Sequence, residues 1–102
     1  MQPFDIAYAT FTWKNCADMR PWLVVECAPD GSCNCFPISA QDYGGDAFKV
    51  DQGDPDFPAT GLTKTCYIHD QRFYALAITA FGTRKGVLTG QLLTRFLAHA
   101  GL

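Results

Sequence analysis

Arg20-Pro21-Trp22-Leu23-Val24-Val25 and Phe36-Pro37-Ile38-Ser39-Ala40-Gln41 are apolar runs separated by a stretch containing Pro29-Asp30-Gly31. Asp-Gly between two such runs is a strong hairpin signal, because a tight turn needs residues that tolerate positive φ. The chain is therefore expected to fold back on itself here, with strands from Trp22 to Ala28 and from Cys33 to Ser39. With Asp30 and Gly31 as the whole loop, Trp22 stands opposite Ser39, Leu23 opposite Ile38 and Val25 opposite Phe36. Side chains alternate between the faces of a strand. Leu23, Val25, Phe36 and Ile38 then form an apolar face fit for a core, while Arg20, Trp22 and Ser39 share the other. A loop longer by one residue slips the pairing and separates Arg20 from Ser39. The turn decides whether a guanidinium and a hydroxyl meet.

Upstream of the hairpin, Phe4 to Phe11 alternates large residues at Phe4, Ile6 and Tyr8 with smaller ones, the period of a half-buried strand, and Thr12 to Met19 reads as a loop. Downstream, Gly44-Gly45 breaks the pattern and Ala47 to Val50 reads as a short strand. Gln52 to Thr60, with Gly53, Pro55 and Pro58, reads as loop. Leu62 to Ile68 and Arg72 to Ile78 are rich in β-formers on either side of a turn at His69-Asp70-Gln71. Thr89 is a candidate N-cap for a helix in which Leu92, Leu93, Phe96, Leu97 and Ala100 fall at helical spacing before Gly101. Short strands followed by one terminal helix exclude a doubly wound sheet. They suit a mainly β fold, a small bent antiparallel barrel with its open side covered by the helix.

The 102 residues suffice for one domain, 1–102, since so short a chain cannot divide its core. No apolar run approaches the length that spans a bilayer, and Met1-Gln2-Pro3-Phe4-Asp5 lacks the pattern of a signal peptide, so no membrane association and a cytoplasmic location are expected. The five cysteines contain no CxxC, and free thiols are expected. Cys33-Asn34-Cys35 with His69 or His99 matches no common zinc spacing, so neither metal nor cofactor is assigned. At a net charge of −2, attraction for nucleic acid would have to come from a local basic patch. Asp42, Asp46, Asp51, Asp54 and Asp56 read as a solvated acidic loop, and His69 as an exposed turn histidine.

Several of these segments, in this order, resemble the MazF/PemK family of bacterial toxin-antitoxin systems. Phe4-Asp5-Ile6-Ala7-Tyr8 looks like the family's opening strand, Arg20-Pro21-Trp22-Leu23-Val24-Val25 like its Arg-Pro-x-Leu/Val-Val-Leu signature and Phe36-Pro37-Ile38-Ser39-Ala40 like its Val-Pro-x-Thr/Ser-Thr/Ser segment. Gly61-Leu62 is similar to the start of a later strand, and Thr89 to Gly101 to the closing helix. The resemblance implies an SH3-like plasmid-toxin barrel. It also implies a metal-independent endoribonuclease, acting on single-stranded RNA as a homodimer and inhibited by an antitoxin with an acidic disordered tail.

By that resemblance, Arg20 and Ser39 are the catalytic residues: Arg20 neutralises charge on the phosphorane and the Ser39 hydroxyl donates to a non-bridging oxygen. Lys64 is placed on RNA phosphate, and Trp22 and Trp13 are candidate stacking surfaces for unpaired bases. The chain departs from the family where Cys66-Tyr67 replaces an Asp-Gln pair, and where Thr12 to Met19 replaces a loop carrying Gly and Glu. The alternatives of the same fold are a catalytically inactive interaction module and a CcdB-like gyrase poison. The poison reading lacks its Trp-bearing tip, since the chain ends Ala98-His99-Ala100-Gly101-Leu102. A general SH3-like peptide binder would instead show an exposed aromatic groove.

Overall fold

A computed structural model describes residues 1–102. Seven strands, β1 (Asp5–Ala9), β2 (Arg20–Cys27), β3 (Ser32–Ser39), β4 (Phe48–Val50), β5 (Cys66–Ile68), β6 (Phe73–Ala77) and β7 (Arg84–Val87), form one curled antiparallel sheet. A one-turn helix, α1 (Phe57–Thr60), and a terminal helix, α2 (Gly90–Ala100), complete it. The sheet runs β4-β5-β3-β2-β1-β7, with β6 also on β3. The first half of β3 pairs with β6 and its last two residues with β5, so the sheet splits there and bends into a half-barrel.

The hairpin loop is longer than the Asp-Gly pair alone. The backbone N–H of Ala28 donates to the Ser32 carbonyl, leaving Pro29, Asp30 and Gly31 as the loop, with Gly31 left-handed at φ 86°. This is the hairpin in which a turn is followed by a left-handed residue. It slips the pairing near the turn, where Cys27 faces Cys33 and Glu26 faces Asn34. The register shifts again between Val24 and Glu26, where Val25 is the extra residue, so that Val24 faces Cys35, Leu23 faces Phe36 and Trp22 faces Pro37. The expected pairing of Trp22 with Ser39 is thus replaced by one that, continued two residues, puts Arg20 opposite Ser39. Leu23, Val25, Phe36 and Ile38 all enter the main core, as their alternation requires.

α2 covers the open side of the sheet. Leu92 and Phe96 are fully buried, and Phe96 meets Phe36 and Phe48 edge to face at 5.7 and 5.5 Å between ring centroids. Burying each such side chain contributes about 1.5–3 kcal/mol. The helix ends at Gly101 in the left-handed conformation, its N–H on the Leu97 carbonyl. Thr89 occupies the N-cap, yet its side chain makes no capping bond. The cap comes from Asp56, whose Oδ2 accepts from the backbone N–H of Gln91 at 2.9 Å. Asp54, its side chain only 10% exposed, pairs with Arg95 on the same helix. The acidic stretch is therefore not merely solvated: two of its carboxylates fasten the loop to α2.

Three expected element boundaries change. Leu62 to Thr65 is irregular and only Cys66–Ile68 is strand, because Leu62 turns into the core directly after Gly61. Phe57 and Pro58 begin a helical turn inside the expected loop. Residues 84–87 form a strand that apolar patterning does not announce, since Arg84-Lys85-Gly86-Val87 has no alternation of large apolar residues.

Asp56→Ala removes the carboxylate at the head of α2 and is expected to lower stability by about 1 kcal/mol in urea unfolding, the usual cost of losing a cap. An unchanged midpoint would mean that Asp56 contributes nothing to the helix.

Candidate functional site

Where β2 and β3 run out, the side chains at their ends and those of the neighbouring segments line a cavity of about 270 Å³. Arg20, Ser39 and Lys64 all line it, together with Tyr8, Met19 and Lys85. The pairing of Ala9 with Arg20 and of Tyr8 with Pro21 brings β1 alongside, and β7 delivers Lys85 from the far side of β1. The cavity thus holds three cationic side chains, Arg20, Lys64 and Lys85, and no carboxylate, in a chain of net charge −2. A recess lined by cations alone is suited to an anion.

Each polar group is held differently. The Arg20 guanidinium stacks on Trp13, 5.0 Å from the ring centroid, and its buried Nε has no hydrogen-bond partner. Trp13 is itself fixed by an Nε1–H donated to Gln71 Oε1 at 3.0 Å. Stacking steers a guanidinium without consuming its donors, so the outer nitrogens of Arg20 keep their fork for a phosphate. The Ser39 Oγ accepts from the backbone N–H of Gln41 at 3.1 Å, which leaves the hydroxyl proton for a ligand. Lys64 is exposed at the rim. Lys85 donates from Nζ to the Tyr8 hydroxyl, and its ammonium lies 4.6 Å from the Tyr8 ring centroid. Its backbone is clamped: a Cβ on Gly61 would collide with the Lys85 carbonyl, and one on Gly86 with the backbone of Thr60. Only glycine permits that approach.

Not every candidate lies on this surface. Trp22 is wholly buried between Phe11 and Phe73, at 5.4 and 5.0 Å. It has no face for a base. Trp13 is 3% exposed and serves as the platform for Arg20. Among the later basic residues, Arg84 is bound to buried Asp5 at 2.8 Å and Arg72 to Glu26 at 3.4 Å. Lys85, which no sequence motif singles out, reaches the cavity beside Lys64. The available signal was Lys85-Gly86, a cation beside a glycine that allows close packing. A second cavity of about 320 Å³, near the end of α2, mixes Asp70 with Arg72 and His99 and so has no single sign of charge.

His69 is buried, not exposed in a turn. Its backbone N–H continues the ladder to the Pro37 carbonyl at 3.0 Å, and its ring packs on Trp13 at 4.8 Å and on Tyr43 at 5.4 Å. Burial holds its pKa below the ordinary 6.5; the hydrogen bond with the Gln41 backbone opposes this, Lys14 adds to it, and Asp42 and Asp70 oppose it. The ring supports the site from behind the Trp13 platform. Three of the cysteines are held in the thiol form. Burial pushes Cys35 up to about 12, and burial with the Cys27 thiol beside it pushes Cys33 up to about 11. Burial also raises Cys66, whose Sγ–H donates to the Lys64 carbonyl at 3.3 Å.

The fold that positions these groups is that of the MazF-type toxin barrel, mainly β with a curled half-barrel and a C-terminal helix. The Mycobacterium tuberculosis toxin MazF-mt6 is similar over 95% of this chain and 92% of that one, with a TM-score of 0.69 and 16% sequence identity. No family model matches the chain, and no curated protein matches it in sequence. No helix is long and apolar enough to cross a membrane.

The depressed pKa of His69 has a pH signature. Above pH ~6.5, both folded and unfolded states hold this imidazole neutral; below it the unfolded chain takes up a proton that the native site resists, so native stability declines until the folded pKa is passed. Thermal melts between pH 7.5 and 5 are expected to show that decline in the wild type and less of it in His69→Phe, which keeps the ring against Trp13. An equal decline in both proteins would assign the effect to groups other than His69.

Proposed function

We propose that this chain is a toxin-like endoribonuclease that cleaves single-stranded RNA by attack of a 2′-hydroxyl on the adjacent phosphate. The observation that carries the reading is the convergence of Arg20, Lys64 and Lys85 with the Ser39 hydroxyl in one carboxylate-free cavity. The segments that resemble MazF/PemK signatures contribute Arg20, Pro21, Ile38, Ser39 and Ala40 to its lining, and the neighbour of like fold is named a toxin. In this reaction the phosphate gains charge as the 2′-oxygen bonds to phosphorus and the 5′-oxygen departs, leaving a 2′,3′-cyclic phosphate and a free 5′-hydroxyl. Arg20 binds the non-bridging oxygens through its fork, Ser39 donates to one of them, and Lys64 holds a flanking phosphate. Such donors act most strongly where transition-state charge develops. An antitoxin's acidic, extended segment would be drawn to the same cations and block them, and the working form is a homodimer.

The competing reading is an interaction module of the same fold that binds the acidic segment and cuts nothing. The absence of a carboxylate from the cavity, with Cys66-Tyr67 where an Asp-Gln pair would stand, favours it. Purified protein incubated with long single-stranded RNA in EDTA separates the two. The expected result is cleavage at defined sequences, with 2′,3′-cyclic phosphate ends. Ser39→Ala should slow it about a hundredfold, the usual cost of one such donor, and Arg20→Ala at least as much. No cleavage of several RNAs by folded wild type, or undiminished cleavage by both variants, would overturn the assignment.

A further inference from the structure

A cavity that breaks a phosphodiester needs a group to protonate the departing 5′-oxygen, and Arg20 and Ser39 are occupied with the phosphate. The remaining proton-bearing side chains on its lining are few. There is no carboxylate and no histidine. The Cys66 thiol is buried, and its proton is given to the Lys64 carbonyl. Lys64 lies out at the rim. Thr63 offers only an alcohol, no stronger an acid than the group that leaves; Tyr8 and Lys85 are left, and they are bonded to each other.

We propose that the Tyr8 phenol is the general acid of this site and that Lys85 is its positioning residue. This rests on the ribonuclease reading given above and adds the proton donor that the reading lacks. The direction of the hydrogen bond supports it. An ammonium can only donate, so the Tyr8 oxygen accepts from Lys85 and its own proton is left to point elsewhere. Tyr8, paired with Pro21, lines the same cavity as Arg20 and Ser39. A phenol is also a far stronger acid than the alcohol that leaves. As the 2′-oxygen bonds to phosphorus, its proton passes to solvent water; as the bond from phosphorus to the 5′-oxygen breaks, that oxygen takes the Tyr8 proton. The phenolate left behind is stabilised by the Lys85 ammonium and recovers its proton from solvent, so no co-reactant is consumed. The close approach of Gly61 to the Lys85 carbonyl fixes the backbone from which the ammonium reaches Tyr8.

The test compares wild type, Tyr8→Phe, Lys85→Gln and Lys85→Arg in single-turnover cleavage of two RNA oligonucleotides. One has an ordinary 5′-oxygen at the scissile bond. The other has a 5′-bridging sulfur, whose thiolate departs without a proton. Tyr8→Phe is expected to slow the oxygen substrate by about 10²–10⁴, the usual worth of general acid catalysis, and to cleave the sulfur substrate within a few-fold of wild type. Lys85→Gln should show the same selective loss and Lys85→Arg should restore most of the rate. Binding of a 2′-O-methyl oligonucleotide by Tyr8→Phe, read by fluorescence anisotropy, should match wild type. Tyr8→Phe active on both substrates, or equally impaired on both, would overturn the assignment of the acid while leaving the ribonuclease reading intact. Wild type inactive on both would overturn both together.

Discussion

The register of the β2–β3 hairpin is the constraint on which the site depends. Side chains in a strand alternate with a period of two, so every single-residue slip sends a whole row to the opposite face. The loop of Pro29, Asp30 and Gly31 introduces one slip and the extra residue at Val25 introduces a second. Their sum restores the parity that keeps Leu23, Phe36 and Ile38 in the core. It also leaves Arg20 and Ser39 at matching positions two residues beyond the last pair, Trp22 and Pro37. Bulges commonly re-aim side chains next to functional sites. Here the bulge lies several residues from the cavity and acts through register alone.

Around that hairpin the polar architecture sorts charge by position. Several carboxylates are committed to partners away from the cavity. Asp5 holds Arg84, Asp54 holds Arg95, Asp56 caps α2 and Glu26 meets Arg72. The Glu26–Arg72 pair, whose carboxylate is exposed, contributes little to stability, typically about 0–1 kcal/mol. The larger effect of these pairings is on the electrostatic map: a chain with more acid than base presents an unquenched positive recess. The aromatic layer behind it, Trp13 with His69 and Tyr43, gives Arg20 a surface to lie on that does not compete for its donors.

The sequence made the hairpin, the apolar face of β2 and β3, the terminal helix and the meeting of Arg20, Ser39 and Lys64 legible, because each rests on local pattern or on a segment with a family likeness. What it hid lies in long-range partners. His69 looked like a turn residue beside Asp70, but the ladder of β5 runs one residue further and carries the ring under Trp13. Trp22 was placed on the right face of its strand, yet that face is covered by Phe11 and Phe73 from segments whose docking no local pattern reveals. Lys85 escaped notice for the same reason: β7 has little apolar alternation, and its identity as a strand comes from its partner β1. Thr89 shows the converse, a residue of the right type at the right place whose task is done by Asp56 from another part of the chain.

The pairing of the first strand with the last also sets an order of assembly. The hairpin of β2 and β3 closes over a loop of a few residues, whereas β1 and β7 join Asp5 to Val87 and must close nearly the whole chain. Closure entropy rises with the length enclosed, and contacts between distant residues form late in folding. Tyr8 and Lys85 face each other across that seam, so a partly folded chain has the Arg20 and Ser39 wall without its counterpart. The cavity has its full lining only when the whole domain has closed.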